Sequence, residues 1–267
     1  MASALSLSPL PYLFLLFIAL SSPTSASASA GRIFNASAAQ KVSLGLYYES
    51  LCPYSANFIV NYIAKIFQNG LFSIIDLNLV PFGNAKIGPS STIDCQHGPS
   101  ECLLNTVEAC AINIWPDLNE HFTFIYCIES LVLEYNYPQW IKCFEKLGMD
   151  PKPIADCYNS GYGKELELRY AAETNTLQPP HEYVPWVVVN GRPLYQDYEN
   201  FVRYVCEAYN GTTLPEACSD SYLNAMAKEK EASAALKVSY KEEKPRSALK
   251  TKMLPSIMRQ MHMLFSL

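Results

Sequence analysis

The stretch Leu44-Gly45-Leu46-Tyr47-Tyr48-Glu49-Ser50-Leu51-Cys52-Pro53-Tyr54-Ser55 decides the fold, because an alternating apolar run ends there on a cysteine followed by a proline. Val42, Leu44, Leu46 and Tyr48 fall on one face at period 2, as in a half-buried strand. From Ala56 the period lengthens: Ala56, Ile59, Val60, Ile63 and Phe67 follow helical spacing, and Gly70 is the stop signal. Pro53 fits just inside the first turn, where a missing N–H costs nothing. The spacing therefore predicts a strand that delivers a thiol to the start of a helix. There the sulfur of Cys52 would meet unpaired backbone donors and the positive end of the helix dipole, a setting that favours thiolate.

Working outward, Ile75-Asp76-Leu77-Asn78-Leu79 alternates again and closes at Pro81-Phe82-Gly83. Strand, helix and strand make a βαβ unit, so the two strands are expected to be parallel with a right-handed crossover. Lys86 to Thr92 reads as a loop rich in Gly, Pro and Ser. From about Cys95 to Thr174 the pattern is helical and dense in cysteine, with Leu103, Val107, Cys110 and Ile114 on one face, and reads as a helical insertion. Strand character returns at Trp186-Val187-Val188-Val189, followed by the hairpin signal Asn190-Gly191 and by Arg192-Pro193-Leu194-Tyr195. Tyr198, Phe201, Val202 and Val205 suggest a last helix.

The ends read differently from the body. Residues 1–30 contain an apolar run from Leu10 to Leu20 and then small residues to Ala30, the pattern of a secretory signal peptide and too short for a membrane span, which needs about 18 or more apolar residues. Asn35-Ala36-Ser37 and Asn210-Gly211-Thr212 fit the glycosylation sequon, which suits passage through the secretory pathway. The folded body is expected over 40–220, and 226–267 reads as a flexible basic tail, removable by processing. The net charge of −5 sits on an acidic body, which argues against nucleic acid as a partner.

Nine cysteines in a secreted chain imply a disulfide framework with one left over. Setting Cys52 aside leaves Cys95, Cys102, Cys110, Cys127, Cys143, Cys157, Cys206 and Cys218. Of about a hundred possible connectivities, one pairing is singled out, Cys143 with Cys157 across the Gly148-Met149-Asp150-Pro151 turn. Cys206 and Cys218 would pin the end of the domain. A zinc site at Cys95, His97 and Cys102 is conceivable, but an oxidising compartment favours bridges. No metal or cofactor is expected, and His97 is left holding a loop or capping a helix.

The order of elements is that of the thioredoxin-like fold with a helical insert, an α/β class in which a cis-proline, here Pro185 after Val184, lies opposite the reactive cysteine. The run Cys95-Gln96-His97-Gly98-Pro99-Ser100-Glu101-Cys102-Leu103-Leu104-Asn105-Thr106-Val107-Glu108-Ala109-Cys110 resembles the signature of the gamma-interferon-inducible lysosomal thiol reductase family, with Cys95, Gln96, His97, Gly98, Glu101, Cys102, Asn105 and Cys110 at the family's spacing. The resemblance extends from about Val42 to Cys218. It implies a thioredoxin-like glycoprotein, secreted or lysosomal or vacuolar, that reduces disulfides in unfolded or disulfide-bonded proteins.

One departure matters. The family's Cys-x-x-Cys is here Cys52-Pro53-Tyr54-Ser55. Ser55 cannot resolve a mixed disulfide, so release would need an external thiol such as glutathione or cysteine, without the effective concentration of an intramolecular partner. Ser55 could still donate a hydrogen bond to the thiolate. Cys52, Pro53, Ser55 and Pro185 are the expected catalytic set, with Tyr54 and Val184 at the substrate. Glu49 reads as a solvated residue at a strand end. The alternative to an enzyme is a binding protein that captures partners by mixed disulfide. An inert, buried Cys52 would be a third reading.

Overall fold

The computed structural model describes residues 40–228. The central sheet has the order β2-β1-β5-β6, built from β1 (Val42–Tyr48), β2 (Ile75–Pro81), β5 (Trp186–Val189) and β6 (Arg192–Pro193). β1 and β2 run parallel from Val42 opposite Ile75 to Tyr48 opposite Pro81, as the βαβ reading requires. On its other side β1 pairs antiparallel with β5, placing Leu44 opposite Val189 and Tyr47 opposite Trp186. Pro193 lies on the edge strand, where no further ladder bond is lost. Asn190 (φ 45°) and Gly191 (φ 80°) both take the left-handed region that a two-residue hairpin needs.

The two faces of β1 serve different layers. Val42, Leu44, Leu46 and Tyr48 are fully buried in a core with α1 (Pro53–Asn61), α7 (Phe201–Ala208) and Phe122 and Ile125. Tyr47 faces the opposite side, against Val80 and Trp186. The first helix is shorter than its period suggested. After Asn61 the chain continues as a 3-10 turn over Ile63–Phe67, which still buries Ile63 and Ile66, and Gly70 (φ 81°) then reverses it into β2.

The insertion is helical, as read: α2 (Pro99–Ile114), α3 (Leu118–Leu133), α4 (Lys142–Leu147), α5 (Lys152–Asn159) and α6 (Tyr162–Asn175). These helices form a second core around Leu104, Phe124, Ile128, Trp140 and Ile154. α3 carries residues into both cores and so joins the insertion to the sheet.

The structure corrects three expectations. Cys143 does not pair with Cys157: Cys127 bonds Cys143, and Cys110 bonds Cys157. α4 packs on α3, the helix before it, and α5 packs on α2, so neither cysteine meets its neighbour across the turn. The segment expected as a loop contains a small ladder, β3 (Lys86–Ile87) against β4 (Ile93–Asp94), closed where Gly88 N donates to Thr92 O at 2.7 Å. Finally, a helix runs over 220–228 with Tyr222, Leu223 and Met226 on the first core, so the expected tail begins inside an ordered element. The rest of the tail, and the expected signal peptide, lie outside the described residues.

Cys206–Cys218 closes the end of the domain, and Cys95–Cys102 closes the loop at the head of α2. The separations of 47 residues for Cys110–Cys157 and 12 for Cys206–Cys218 rank the bridges by the loops they close. Loop-closure entropy gives about 4 kcal/mol for the first and about 3 kcal/mol for the second. Denaturant unfolding of the paired alanine variants is expected to show that order.

Candidate functional site

β1 ends at Tyr48, and Glu49, Ser50 and Leu51 lead to Cys52, the N-cap residue of α1, with Pro53 at the first helical position. Cys52 is the free cysteine among the described residues and is buried, with 6% of the residue exposed. Its side chain makes no capping hydrogen bond. Tyr54 projects outward at 70% exposure. Ser55 points inward, fully buried, and its hydroxyl has no hydrogen-bond partner, so the expected bond to Cys52 is not made.

The Val184–Pro185 peptide is cis, as expected, and so is Gln178–Pro179. Because Tyr47 pairs with Trp186, Val184 and Pro185 lie at the end of the sheet from which the chain passes to Cys52. An aromatic group that sequence reading missed gathers here. Trp186 takes edge contacts from Tyr183 and Tyr195 at 5.2 and 5.4 Å. The Tyr198 hydroxyl is pushed up to about 12, by burial first and then by the charges of Glu199, Cys52, Tyr183 and Tyr54. Asn210 is exposed after α7, and Asn35 lies outside the described residues.

The segment ahead of Cys52 is held by the signature run. Asn105 Oδ1 accepts from Ser50 N at 3.0 Å, and Ser50 Oγ donates to Glu101 O at 3.3 Å. Gln96 Oε1 accepts from Asn84 Nδ2 at 2.7 Å, and Asn84 N donates to Glu49 Oε1 at 2.6 Å. His97 Nδ1 bonds Glu101 Oε2 and lies 3.4 Å from Glu49 Oε2. Gly98, at φ 86°, turns the chain into α2. Glu49 is thus fully buried, not solvated as expected. Gly83 makes room for it, since a Cβ there would stand 2.3 Å from Glu49 Cγ. His97 does hold a loop, through two carboxylates that raise it to about 10, the bond to Glu101 contributing most.

Beneath this clamp lie further buried acids. Glu108 Oε2 accepts from the Tyr48 hydroxyl at 2.7 Å, and Glu167 Oε2 from Thr106 Oγ1 at 2.6 Å. Neither oxygen of Glu129 is reached by an N–H or O–H donor, which leaves a proton shared with Glu108 as its hydrogen-bonding resource. Burial pushes Glu129 well above the carboxylate range, Glu108 to about 8 and Glu167 to about 7, and Glu129 also senses charge at Cys52. Burial lets the pair hold a proton between them. Leaving thiolates in disulfide exchange need one.

These raised values fix a pH dependence. Between the ordinary carboxylate value and about 8, folded Glu108 keeps a proton that the unfolded chain has lost. Stability therefore falls as pH rises through that window, by up to about 1.4 kcal/mol per pH unit for each such proton. Unfolding free energies measured from pH 5 to pH 8 are expected to decline, and Glu108→Gln to make the decline shallower.

The chain is similar in sequence to known proteins. The family description "Gamma interferon inducible lysosomal thiol reductase (GILT)" matches residues 43–147. A protein of Arabidopsis thaliana, "Gamma-interferon-responsive lysosomal thiol protein", is 47% identical over 204 residues, covering 75% of this chain and 84% of that one. The "Gamma-interferon-inducible lysosomal thiol reductase" of Mus musculus is 36% identical over 184 residues, covering 67% and 72%. Among solved structures, the chain is similar to Chlamydia trachomatis DsbA, with a TM-score of 0.45 at 14% identity over 63% of this chain and 86% of that one. With its signature residues gathered around the segment that leads to Cys52, the chain belongs to the gamma-interferon-inducible lysosomal thiol reductase family.

Proposed function

We propose that this thiol–disulfide oxidoreductase reduces disulfides of unfolded or disulfide-bonded proteins through Cys52 alone, with an external thiol as resolver. One observation carries the reading: the eight other cysteines are all bridged, so Cys52 is the free nucleophile and Ser55 occupies the resolving position.

The Cys52 thiolate attacks one sulfur of the substrate disulfide, forming a mixed disulfide and expelling the other sulfur, which takes up a proton. Glutathione or cysteine then attacks as thiolate at Cys52 and releases the second substrate thiol. A second external thiol regenerates Cys52, so two external thiols are oxidised to one disulfide for each substrate disulfide reduced. Val184 and Pro185 would seat the extended substrate beside the sulfur, with Tyr54 at the rim. No helix among the described residues is long and apolar enough to cross a membrane. The lysosomal names of the relatives, together with the expected signal peptide and sequons, support a secreted, lysosomal or vacuolar setting.

Ser55 also favours a second reading, in which Cys52 captures partners and holds them. Turnover of a denatured disulfide-bonded substrate, at pH 5 and pH 7 with glutathione or cysteine, separates the two. The wild type is expected to turn over, Cys52→Ala to be inactive, and Ser55→Cys to resolve with less dependence on external thiol. A wild type that only accumulates a Cys52-linked complex, while Ser55→Cys turns over, would establish capture.

A further inference from the structure

Three side chains apart from the sulfur chemistry converge beside the segment that leads to Cys52. Glu49 follows β1, His97 comes from the loop between Cys95 and Cys102, and Glu101 from the first turn of α2. One ligand atom from each lies within 4.8 Å of the others. Both carboxylates are fully buried, and Glu49 Oε2 and Glu101 Oε1 accept no hydrogen bond. Two buried carboxylate oxygens thus lack any hydrogen-bond donor, and a charge on either would lie where water does not reach. Such a charge is costly unless paired. A cation held among the three ligand atoms would supply the missing partner to both carboxylates.

The surroundings are those of a prepared ligand set. Glu49 Oε1 is fixed by Asn84 N at 2.6 Å, and Gly83 lies flush against the side chain. His181 lies close enough to Glu49 to feel its charge. Outer contacts of this kind orient metal ligands. The His97 side chain is 34% exposed, which gives an ion an entry path and room for water ligands. The neighbouring sulfurs of Cys95 and Cys102 are bonded to each other and are not donors.

We propose that Glu49, His97 and Glu101 bind one divalent cation of borderline hardness, such as Zn²⁺ or Mn²⁺, through two carboxylate oxygens and one imidazole nitrogen, with water completing the shell. The ion takes the place of the proton between His97 and the carboxylates, and no electron is transferred. It ties the segment leading to Cys52 to the loop closed by Cys95–Cys102 and to the head of α2. The site is independent of how the mixed disulfide at Cys52 is resolved.

The test uses the full chain carrying Cys52→Ala, so that binding cannot occur through the free thiol. Calorimetric titration with Zn²⁺ at pH 7.5 is expected to give one ion per chain and a raised thermal midpoint. Adding His97→Ala or Glu101→Gln is expected to weaken binding by at least about tenfold. Absence of binding, or binding that survives His97→Ala, overturns the proposal. His97 is partly exposed, so its replacement keeps the test decisive if Glu101→Gln does not fold.

Discussion

The bond from Ser50 N to Asn105 Oδ1, 3.0 Å long and fully buried, joins the two halves of the molecule at the point where chemistry occurs. The sheet brings the chain to Glu49, and the insertion supplies α2. Without a partner from α2, the Ser50 amide would be a buried unsatisfied donor, which costs about 1–3 kcal/mol. The approach to Cys52 is therefore shaped by the insertion as much as by the sheet. The position of Cys52 at the start of α1 depends on a helix that begins nearly fifty residues further along the chain.

That dependence accounts for the signature run. Its cysteines close two bridges, Gln96 reaches the Asn84 turn, His97 and Glu101 meet Glu49, and Asn105 holds Ser50. Glu108, one turn further, reaches the Tyr48 hydroxyl. The result is a polar seam buried between an apolar sheet and an apolar helical bundle. Its excess of carboxylates over cations gives the neighbourhood of the sulfur its proton-retaining character.

Much of the fold could be read directly because its signals are local. Alternation in Val42–Tyr48 and Ile75–Pro81, the change of period after Pro53 and the Asn190-Gly191 turn each report on a few adjacent residues, and each produced the expected element. The seam was not legible for the opposite reason. Glu101, Asn105 and Glu108 stand at helical spacing, which in a lone helix describes a face turned to water. Only packing against the Tyr48–Ser50 segment makes them interior. Glu49 was misread as solvated on the same ground. The expected Cys143–Cys157 pairing failed similarly, because α4 and α5, though joined by a short turn, bury their cysteines against different partners, α3 and α2. Cys52, Pro53 and Pro185 were visible because strand ends and proline positions are themselves sequence features.

The four bridges also bear on durability in a thiol-rich milieu. A small thiol can attack any disulfide that it reaches along the S–S axis. Cys110 and Cys143 have almost no exposed surface, whereas Cys206 and Cys218 are only partly covered. Reduction should accordingly begin at the partly covered bridges, Cys206–Cys218 and Cys95–Cys102, while Cys110–Cys157 and Cys127–Cys143 keep the insertion locked. The sulfurs that brace the insertion, Cys110–Cys157 and Cys127–Cys143, are shielded from small thiols in the surroundings.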